Sequence, residues 1–363
     1  MTAEAYNMKR KIKIGIIGCG QIAQIEHLPY IRDSLDFELY SLCDLSGEVV
    51  QVVGELYGVP PERRYTDIDA QLADNNLEAV IICTRDHYEP GLKAARAGKH
   101  MLIEKPLAYS LEQADEMIEA ARKSGVVMMV GYMKRYDPSY AYFRKEIEQL
   151  KDITLVRVHD YGGSFDFTGS LFRICRGTDI LKEVLETGNR QIQDAITRQL
   201  GEQRARLSQA YSFMLGISTH DSILMRHAFG TPEVLFADVH QEGFLTSVLD
   251  YGSFRAVFES GFLPARRIWD EKIWVYAPEK SLTLEFPWPY LKNAPTKLTI
   301  NENEPGSMVN VDKVVVNSFE EAYRAELAHF HECITTGAVP LTAGEDARRD
   351  IQLACDMICK VRL

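Results

Sequence analysis

The chain has 363 residues, of which 46% are apolar, and a formal net charge of −11. This length allows two domains, and an acidic chain without a large basic block is not expected to bind nucleic acid. No apolar stretch reaches the roughly 18 residues that a membrane span requires, so we expect a cytoplasmic protein with no membrane partner.

The seven cysteines exclude further classes of protein. Their number is odd and no Cys-x-x-Cys pair occurs, which argues against a disulfide framework and against a structural zinc site. Cys355 and Cys359 lie one helical turn apart, but no other ligand type accompanies them. We therefore expect small apolar packing groups in a reducing compartment, and no metal.

Strands and helices alternate through the first third of the chain. Apolar runs bounded by turn residues predict five strands, at 12–17, 37–46, 77–86, 100–106 and 126–132. The predicted helices between them include 48–58, 88–98 and one that runs from the capping box of Ser110 and Gln113 to Gly125. This alternation predicts a doubly wound parallel sheet, the Rossmann arrangement.

The pattern changes after the fifth strand. Asp137–Pro138 predicts the start of a helix, 153–163 alternates like an antiparallel strand, and 178–228 is helical almost throughout. Seven strand-like segments then follow within 233–316, so we expect a large, mostly antiparallel open sheet in an α+β domain. Two helices end the chain, and the first is predicted to begin at the capping box Ser318–Glu321.

A glycine pattern follows the first strand and opens a helix. It reads Gly18-Cys19-Gly20-Gln21-Ile22-Ala23. The first glycine permits a tight turn, the second lets the backbone approach a pyrophosphate, and the alanine allows close contact between helix and strand. The pattern predicts a dinucleotide site, with a purely structural turn as the alternative. Its cofactor-binding candidates are Gly18, Gly20, Gln21 and Ile22.

Asp44 ends the second strand, where the acid that binds the ribose 2′-hydroxyl of a dinucleotide belongs. A carboxylate repels a 2′-phosphate, so we expect NAD as the cofactor. NADP stays possible, since an arginine from elsewhere could fold over the site. The alternative role of Asp44 is to cap the next helix.

The fourth strand ends abruptly in Glu104, Lys105 and Pro106. Because a proline confines the residue before it to extended geometry, Lys105 is aimed rather than mobile. Its amine could take a proton from a substrate hydroxyl while hydride leaves the same carbon, which requires a pKa lowered from about 10.4. Glu104 is therefore expected to point toward the cofactor or the backbone. The alternative for Lys105 is a solvated strand end.

Several segments together resemble one family. The glycine pattern, "HYEPGLKAARAGKHMLIEKP", "VGYMKRYDP" and "AELAHFHECITTGAVPLTAGEDARRDIQLACDM" are similar to the glucose–fructose oxidoreductase, inositol dehydrogenase and rhizopine-catabolism (Gfo/Idh/MocA) oxidoreductases. The resemblance implies an NAD(P)-dependent oxidoreductase for a sugar, cyclitol or related polyol. It implies a Rossmann domain at 1–137 and an α+β domain at 138–363 for substrate binding and oligomerisation. The open sheet of such domains often forms a dimer interface, so we expect a homodimer or homotetramer.

The resemblance also suggests roles for single residues. Lys105 matches the family's catalytic lysine, and its bond to Pro106 is expected to be cis. Arg135 matches an arginine near nicotinamide and substrate, with a simple helix-start charge as the alternative, and Tyr136 is a second substrate-binding candidate. The remaining matched residues are expected to bind the cofactor: Thr84, His87 and Glu104.

The second domain departs from the family pattern, in which Asp-x-x-x-His continues as His-x-x-Asp. In "YSFMLGISTHDSILMRHAFGTPE" His220 fits the catalytic histidine, with a helix-start residue as the alternative. Gly216 and Ile223 stand where the two aspartates belong. Asp221 is the candidate replacement and a candidate substrate-binding residue, although a residue of the helical insert could serve instead; Tyr211 could also reach the site.

The helical insert, at about 164–215, is longer than the family's usual substrate loops. It carries six arginines: Arg173, Arg176, Arg190, Arg198, Arg204 and Arg206. Two interpretations stay open. The arginines belong to a solvated helical face, or they form a lid that binds an acidic or phosphorylated ligand such as a uronic acid or nucleotide sugar.

Two functions follow from these residues. The first is a dehydrogenase or ketoreductase that moves hydride between NAD(H) and a ring carbon of a sugar or cyclitol. In it Lys105 is the acid–base residue and His220 positions the hydroxyl or shares its proton. The second is a regulatory protein that binds NAD(P) without turnover. The missing aspartate at Gly216 favours the second function, and the intact Glu-Lys-Pro favours the first.

Overall fold

The structure, a computed structural model, describes residues 10–241, 243–263 and 265–362. They fall into two compact units, each assembled from several stretches of chain. Of the described residues, the first unit combines 10–131, Gly169–Ala195 and Glu326–Arg348, and the second combines Tyr132–Thr168, those within 196–325, and 349–362. The boundary expected at residue 137 stays a prediction.

Two sheets contain the strands of the described residues. The strands of the first sheet are β1 (Ile12–Ile17), β2 (Phe37–Cys43), β3 (Arg64–Tyr65), β4 (Ala79–Ile82), β5 (His100–Glu104) and β6 (Met128–Gly131). Those of the second are β7 (Leu155–Gly162), β8 (Glu233–His240), β9 (Phe244–Asp250), β10 (Arg255–Phe262), β11 (Asp270–Tyr276), β12 (Lys280–Glu285), β13 (Lys297–Asn303) and β14 (Asn310–Val315).

The α-helices follow the predicted spacing. They are α1 (Leu28–Arg32), α2 (Gly47–Tyr57), α3 (Ile68–Leu72), α4 (Tyr88–Arg96), α5 (Leu111–Ser124), α6 (Pro138–Ile147), α7 (Phe165–Ser170), α8 (Lys182–Leu200), α9 (Ser208–Phe213), α10 (Thr219–Phe229), α11 (Ala322–Thr336) and α12 (Gly344–Lys360). Shorter 3₁₀ or π-helical turns cover Ala23–His27, Pro61–Arg63, Met133–Tyr136, Glu202–Leu207 and Met214–Ser218. Among the described residues, no helix combines the length and the hydropathy of a membrane span.

The first sheet is parallel throughout, in the order β3-β2-β1-β4-β5-β6. The central strands β1, β4 and β5 are buried on both faces and are mostly apolar, as expected of a sheet that helices cover on both sides. The strand order reverses between β1 and β4, and ligands of such sheets bind outside the carboxyl ends of the strands at this point. Sequence analysis missed β3, because two residues are too short to show an alternating pattern.

A late segment of the chain, Glu326–Arg348, completes the first unit. The ring of Phe330 stacks on Phe37 of β2, with ring centroids 6.1 Å apart. The Thr342 hydroxyl donates to the Val130 carbonyl at 2.7 Å, and the Val130 N–H donates to the Thr342 carbonyl at 2.9 Å. The edge strand β6 and Phe37 of β2 are therefore covered by residues that lie roughly 200 and roughly 290 positions later in the sequence.

The second sheet has the order β14-β13-β12-β11-β7-β10-β9-β8 and is antiparallel except for the pair β7–β10. Burial alternates along β7, β9 and β11, so one face of these strands is packed. The two sheets confirm the predicted fold class, a Rossmann sheet and a mostly antiparallel open sheet.

Two helix predictions had different outcomes. Asp137 caps α6 as expected, since its carboxylate accepts from the N–H groups of Ser139 at 2.7 Å and Tyr140 at 3.2 Å. The capping box at Ser318 is wrong, because the helix begins four residues later, at Ala322. The Ser318 hydroxyl instead accepts the N–H of Glu320 at 2.9 Å, and the Glu321 carboxylate accepts the backbone N–H of Asn293.

Candidate functional site

The glycine turn after β1 is built closely against the next strand of the sheet. Gly18 has φ +90°, and a Cβ atom there would lie 2.8 Å from the backbone of Cys83 and Thr84, so that only glycine fits. Gly20 differs, because no atom lies within 4 Å of the position its Cβ would take. The peptide at Gly20 therefore faces open space, and the turn fits a pyrophosphate as the sequence predicts.

Asp44, which follows β2, forms a hydrogen bond with this glycine turn. One carboxylate oxygen accepts the Cys19 N–H at 2.7 Å, and the other accepts the Ser46 N–H at 2.9 Å. Asp44 does not cap α2, because Ser46 is the N-cap and accepts the Val49 N–H at 3.1 Å. Each carboxylate oxygen has more than one acceptor position, so Asp44 can still accept a ribose hydroxyl. The turn and Asp44 together fit a nicotinamide dinucleotide.

Lys105 lies just beyond β5, and its bond to Pro106 is cis, as expected. The residue before it is fixed, since Glu104 Oε1 bonds His27 Nε2 at 2.7 Å and both side chains are buried. Burial by itself raises the pKa of Glu104, but the hydrogen bond and charge of His27, and then the charge of Lys105, bring that pKa below its ordinary value. Glu104 is therefore an ionised group directed at His27.

The residue after Lys105 is fixed as well. His87 Nδ1 lies 2.6 Å from the Pro106 carbonyl, which can only accept, so this nitrogen carries the proton. Burial lowers the pKa of His87 more than the Pro106 carbonyl and the Glu104 carboxylate raise it, and the ring is neutral. Thr84 holds the start of the same loop, because its hydroxyl donates to the Asp86 carbonyl at 2.6 Å.

Sequence reasoning missed Glu326, on α11 in the same unit. It is fully buried, and neither of its carboxylate oxygens has a hydrogen-bond partner among the residues that the structure describes. Burial, and then the charge of Glu104, raise its pKa well above the ordinary value. Glu104 is thus ionised while Glu326 is neutral. The sequence did contain a sign of this residue: Glu326 is an acid beside Leu327 on the otherwise apolar face of a predicted helix.

The second unit contains the other predicted site residues. His220 and Asp221 lie in the first turn of α10, directly after the π-helical turn that includes Gly216. Arg135 and Tyr136 belong to the 3₁₀ turn at Met133–Tyr136 and are buried, as is His220.

Asp221 belongs to a buried cluster of charged groups. Its carboxylate lies with those of Asp160 on β7 and Glu271 on β11, with one oxygen of each within 4.8 Å of the others. The ammonium of Lys134 pairs with Glu271, whose second oxygen accepts the Trp269 indole N–H at 2.9 Å. Three carboxyl groups at this spacing could hold a metal ion, but in this cluster Lys134 supplies a positive charge.

One ammonium cannot balance three carboxylates, so the cluster retains a proton. Burial, then the charges of Glu271 and Asp160, raise the pKa of Asp221 well above its ordinary value, against the opposing effect of Lys134. Burial lowers the pKa of Lys134, but Glu271, Asp221 and Asp160 together raise it above the ordinary value. Asp221 is thus a neutral carboxyl group and Lys134 a stable cation. The sequence motif indicated Arg135 as the functional cation, whereas the cation of this cluster is its neighbour Lys134.

Other candidates have structural contacts. Tyr211 is fully buried, and its hydroxyl lies 3.3 Å from Cys355 Sγ. Arg204, in the helical insert, donates to the backbone carbonyls of Ile358, Cys359 and Val361 at the end of α12, which satisfies a helix C-terminus. All seven cysteines are free thiols.

The parallel sheet with its glycine turn, and the second mostly antiparallel sheet, define a dinucleotide-binding Rossmann protein with an added α+β region. A family profile described as "Oxidoreductase family, NAD-binding Rossmann fold" matches residues 12–132. The match covers about a third of the chain, and over this dinucleotide-binding part it supports the resemblance to the Gfo/Idh/MocA oxidoreductases.

Three known proteins show how far the similarity extends. A myo-inositol 2-dehydrogenase of Thermotoga maritima is 33% identical over 38% of this chain and 41% of its own length. A scyllo-inositol 2-dehydrogenase (NAD(+)) of Bacillus subtilis is 25% identical over 95% of this chain and 93% of its own. A crystal structure of KijD10, a 3-ketoreductase from Actinomadura kijaniata in complex with NADP, has a TM-score of 0.75 at 16% identity, over 97% of this chain and 98% of its own.

These similarities differ in how much of each protein they cover. The chain spans about two fifths of the length of the first curated relatives that it matches. The similarity to KijD10, at its low identity, is a similarity of fold.

Proposed function

We propose that this protein is an NAD-dependent oxidoreductase that moves hydride between nicotinamide and a ring carbon of a sugar, sugar derivative or cyclitol. The observation that carries the proposal is the setting of Lys105. It lies at the carboxyl end of β5, between Glu104 and Pro106, which are both held by hydrogen bonds in the unit that contains the glycine turn. The inositol dehydrogenases among the relatives support the substrate class.

Lys105 is the proposed acid–base residue. A bound nicotinamide dinucleotide supplies the hydride acceptor or donor. The Lys105 amine accepts the proton of the substrate hydroxyl during oxidation and returns a proton to the oxygen during reduction. It must be neutral before oxidation, and the bond from Glu104 to His27 limits the stabilisation that this carboxylate gives to the ammonium form.

His220 is the second proposed catalytic residue, as a ligand of the substrate hydroxyl. Arg135, Tyr136 and Asp221 stay candidate substrate-binding residues. Asp221 has no exposed surface, so we give it the role of a neutral carboxyl group that holds the first turn of α10 and thereby positions His220.

The cofactor is proposed to be NAD, with Gly18, Gly20, Gln21, Ile22 and Asp44 along the dinucleotide and Thr84, His87 and Glu104 toward its nicotinamide. Asp44 supports this choice, because a carboxylate suits a ribose hydroxyl better than a 2′-phosphate. In Asp44→Ala the preference against NADP should weaken. A wild-type protein that already prefers NADP would contradict this interpretation of Asp44.

The decisive experiment compares Lys105→Ala with Lys93→Ala. Lys93 is a partly exposed lysine of the same unit that pairs with Asp69. The wild type is mixed with NAD and a panel of polyols, cyclitols and sugars, and the absorbance of reduced nicotinamide is followed. We expect turnover that falls about 10³-fold in Lys105→Ala and is unchanged in Lys93→Ala, while both variants still bind NAD.

A catalytically silent regulatory protein is the second candidate function, and Gly216 in place of the family's aspartate favours it. Under that function the protein would bind NAD without turnover on any substrate of the panel. Ligand affinity would then be equal in the wild type and in Lys105→Ala.

We further propose a cytoplasmic homodimer or homotetramer. Free thiols suit a reducing compartment, and apolar side chains such as Leu235, Phe236 and Val314 are exposed on strands at both ends of the second sheet. Light scattering after size exclusion would measure the mass, and a monomer at micromolar concentration would contradict the oligomer.

A further inference from the structure

Residues 175–179, Cys-Arg-Gly-Thr-Asp, lie against the glycine turn of the first unit, and we call this segment the strap. The Gln24 side chain forms hydrogen bonds with both backbone groups of Cys175, the first residue of the strap. The Gln24 amide donates to the Cys175 carbonyl at 2.9 Å and accepts the Cys175 N–H at 2.8 Å. The same amide donates to the Cys19 carbonyl at 2.7 Å. Gln24 therefore links the strap directly to the peptide between the two glycines of the turn.

The other end of the strap lies on the start of α2. Asp179 accepts from the Ser46 hydroxyl and, at 3.1 Å, from the Glu48 N–H. Glu48 in turn accepts from the N–H and the hydroxyl of Thr178, at 2.9 and 3.1 Å. A Cβ atom on Gly177 would lie 2.0 Å from the Ser46 oxygen, so the backbone of the strap is in direct contact with this helix start.

The contacts put opposite charges at the two ends of the strap. Arg176 donates to the Gln21 side chain at 3.3 Å, beside the turn that fits a pyrophosphate. Asp179 lies on Ser46 and Glu48, next to Asp44, the candidate ligand of the ribose hydroxyls. A cation suits the diphosphate and a carboxylate suits a neutral ribose, so the charge order of the strap matches that of NAD.

NADP differs from NAD by a 2′-phosphate on this ribose. The N–H groups at the start of α2 would be the natural ligands of such an anion, but the Asp179 carboxylate already accepts one of them. Asp44, Glu48 and Asp179 surround this position with three carboxylates, which repel a further anion.

We propose that the strap selects NAD over NADP, with Asp179 as a specificity-determining residue that occupies the anion position at the start of α2. The proposal rests on the proposed function, since it concerns the dinucleotide of that site. Asp44 alone would bind the ribose hydroxyl, and Asp179 adds the exclusion of the phosphate. Arg176 contributes affinity for both dinucleotides, because both contain the diphosphate.

Direct binding tests the proposal without reference to turnover. NADH and NADPH are titrated separately into the wild type, Asp179→Asn and the control Glu183→Gln, and nicotinamide fluorescence gives the dissociation constants. Glu183 is an exposed acid of the adjoining helix α8, so its substitution removes the same charge away from the ribose end. We expect NADPH to bind Asp179→Asn about tenfold more tightly than it binds the wild type, NADH to change less than about twofold, and the control to match the wild type.

A second variant displaces the strap without changing its charge, and so tests the position of the strap by itself. Gly177→Val places a side chain against Ser46 and lifts the strap without altering any charge, so it should also bind NADPH more tightly, by several-fold. Its melting temperature checks that it is folded. Arg176→Gln should weaken NADH and NADPH by equal factors.

The outcomes distinguish the two proposals. If Asp179→Asn binds NADH normally and keeps the wild-type ratio of NADPH to NADH affinity, the strap proposal is wrong and the proposed function stands. A wild type that prefers NADPH overturns the strap proposal as well. If the folded wild type binds neither dinucleotide, the proposed function itself fails.

Discussion

The two units bury their charged groups in different ways. In the first unit the ionised Glu104 has one dedicated partner, His27, and the nearby Glu326 stays neutral. In the second unit one ammonium, Lys134, faces three carboxyl groups, which keep a proton among them. The first arrangement fixes the backbone beside Lys105, the proposed acid–base residue. The second holds together a helix start and two strands, and its net charge depends on how many protons it binds.

The largest expected effect comes from removing the cation of the cluster. Lys134→Met leaves buried carboxylates without their counter-charge and should lower the free energy of unfolding by about 3–5 kcal/mol. Lys280→Met is the matched control, because Lys280 pairs with Glu146 in the same unit but both side chains are partly exposed. Urea unfolding would measure both. Equal losses of unfolding free energy in the two variants would show that Lys134 and Glu271 form an ordinary ion pair.

A smaller effect separates the two buried glutamates of the first unit. Glu104→Gln removes the ionised partner of His27 and should cost about 2 kcal/mol. Glu326→Gln replaces a neutral carboxyl group by a neutral amide of the same shape, so we expect a change below about 1 kcal/mol at pH 7. Unfolding of both variants at that pH tests the difference. If Glu326→Gln is the more damaging change, Glu326 is the ionised member of the pair.

The last effect is a change in how stability depends on pH, and not a loss of stability at one pH. Folded Asp221 keeps its proton, whereas an unfolded aspartate loses it above pH ~4. Unfolding then releases a proton, so this group makes stability fall with rising pH, by up to about 1.4 kcal/mol per pH unit, until the pH reaches the folded pKa. Asp221→Asn should therefore show a shallower decline between pH 5 and 7. Its curve should diverge from that of the exposed control Glu119→Gln; parallel curves would mean that Asp221 is already ionised.

The first unit was largely predictable because its information is local. The glycine turn, Asp44 and the Glu-Lys-Pro strand end each occupy a few consecutive residues, and their geometry follows from that short stretch. The strand β3 was not predicted, because it has only two residues. The last helix but one was predicted to begin at Ser318, but the Ser318 hydroxyl accepts the N–H of Glu320 and does not cap a helix.

The charged cluster and the strap were not predictable, because long-range pairing creates them. Asp160 and Glu271 become neighbours only through the register of β7 with β11, and Lys134 reaches them from a turn that precedes both. Asp179 meets Ser46 across more than one hundred residues. No pattern within any one of these segments specifies which segment it contacts. From the sequence alone, Asp179 is indistinguishable from an ordinary solvent-exposed acid.

The cover that Phe330 and Thr342 give to β2 and β6 has a consequence during synthesis. When a ribosome has translated residue 131, every strand of the first sheet exists, yet the residues that close its edge lie roughly 200 codons ahead. At about 5–20 residues per second they arrive roughly 10–40 s later. For that interval the nascent sheet presents an open flank, and a chaperone or the intervening chain must shield it until the last helices emerge.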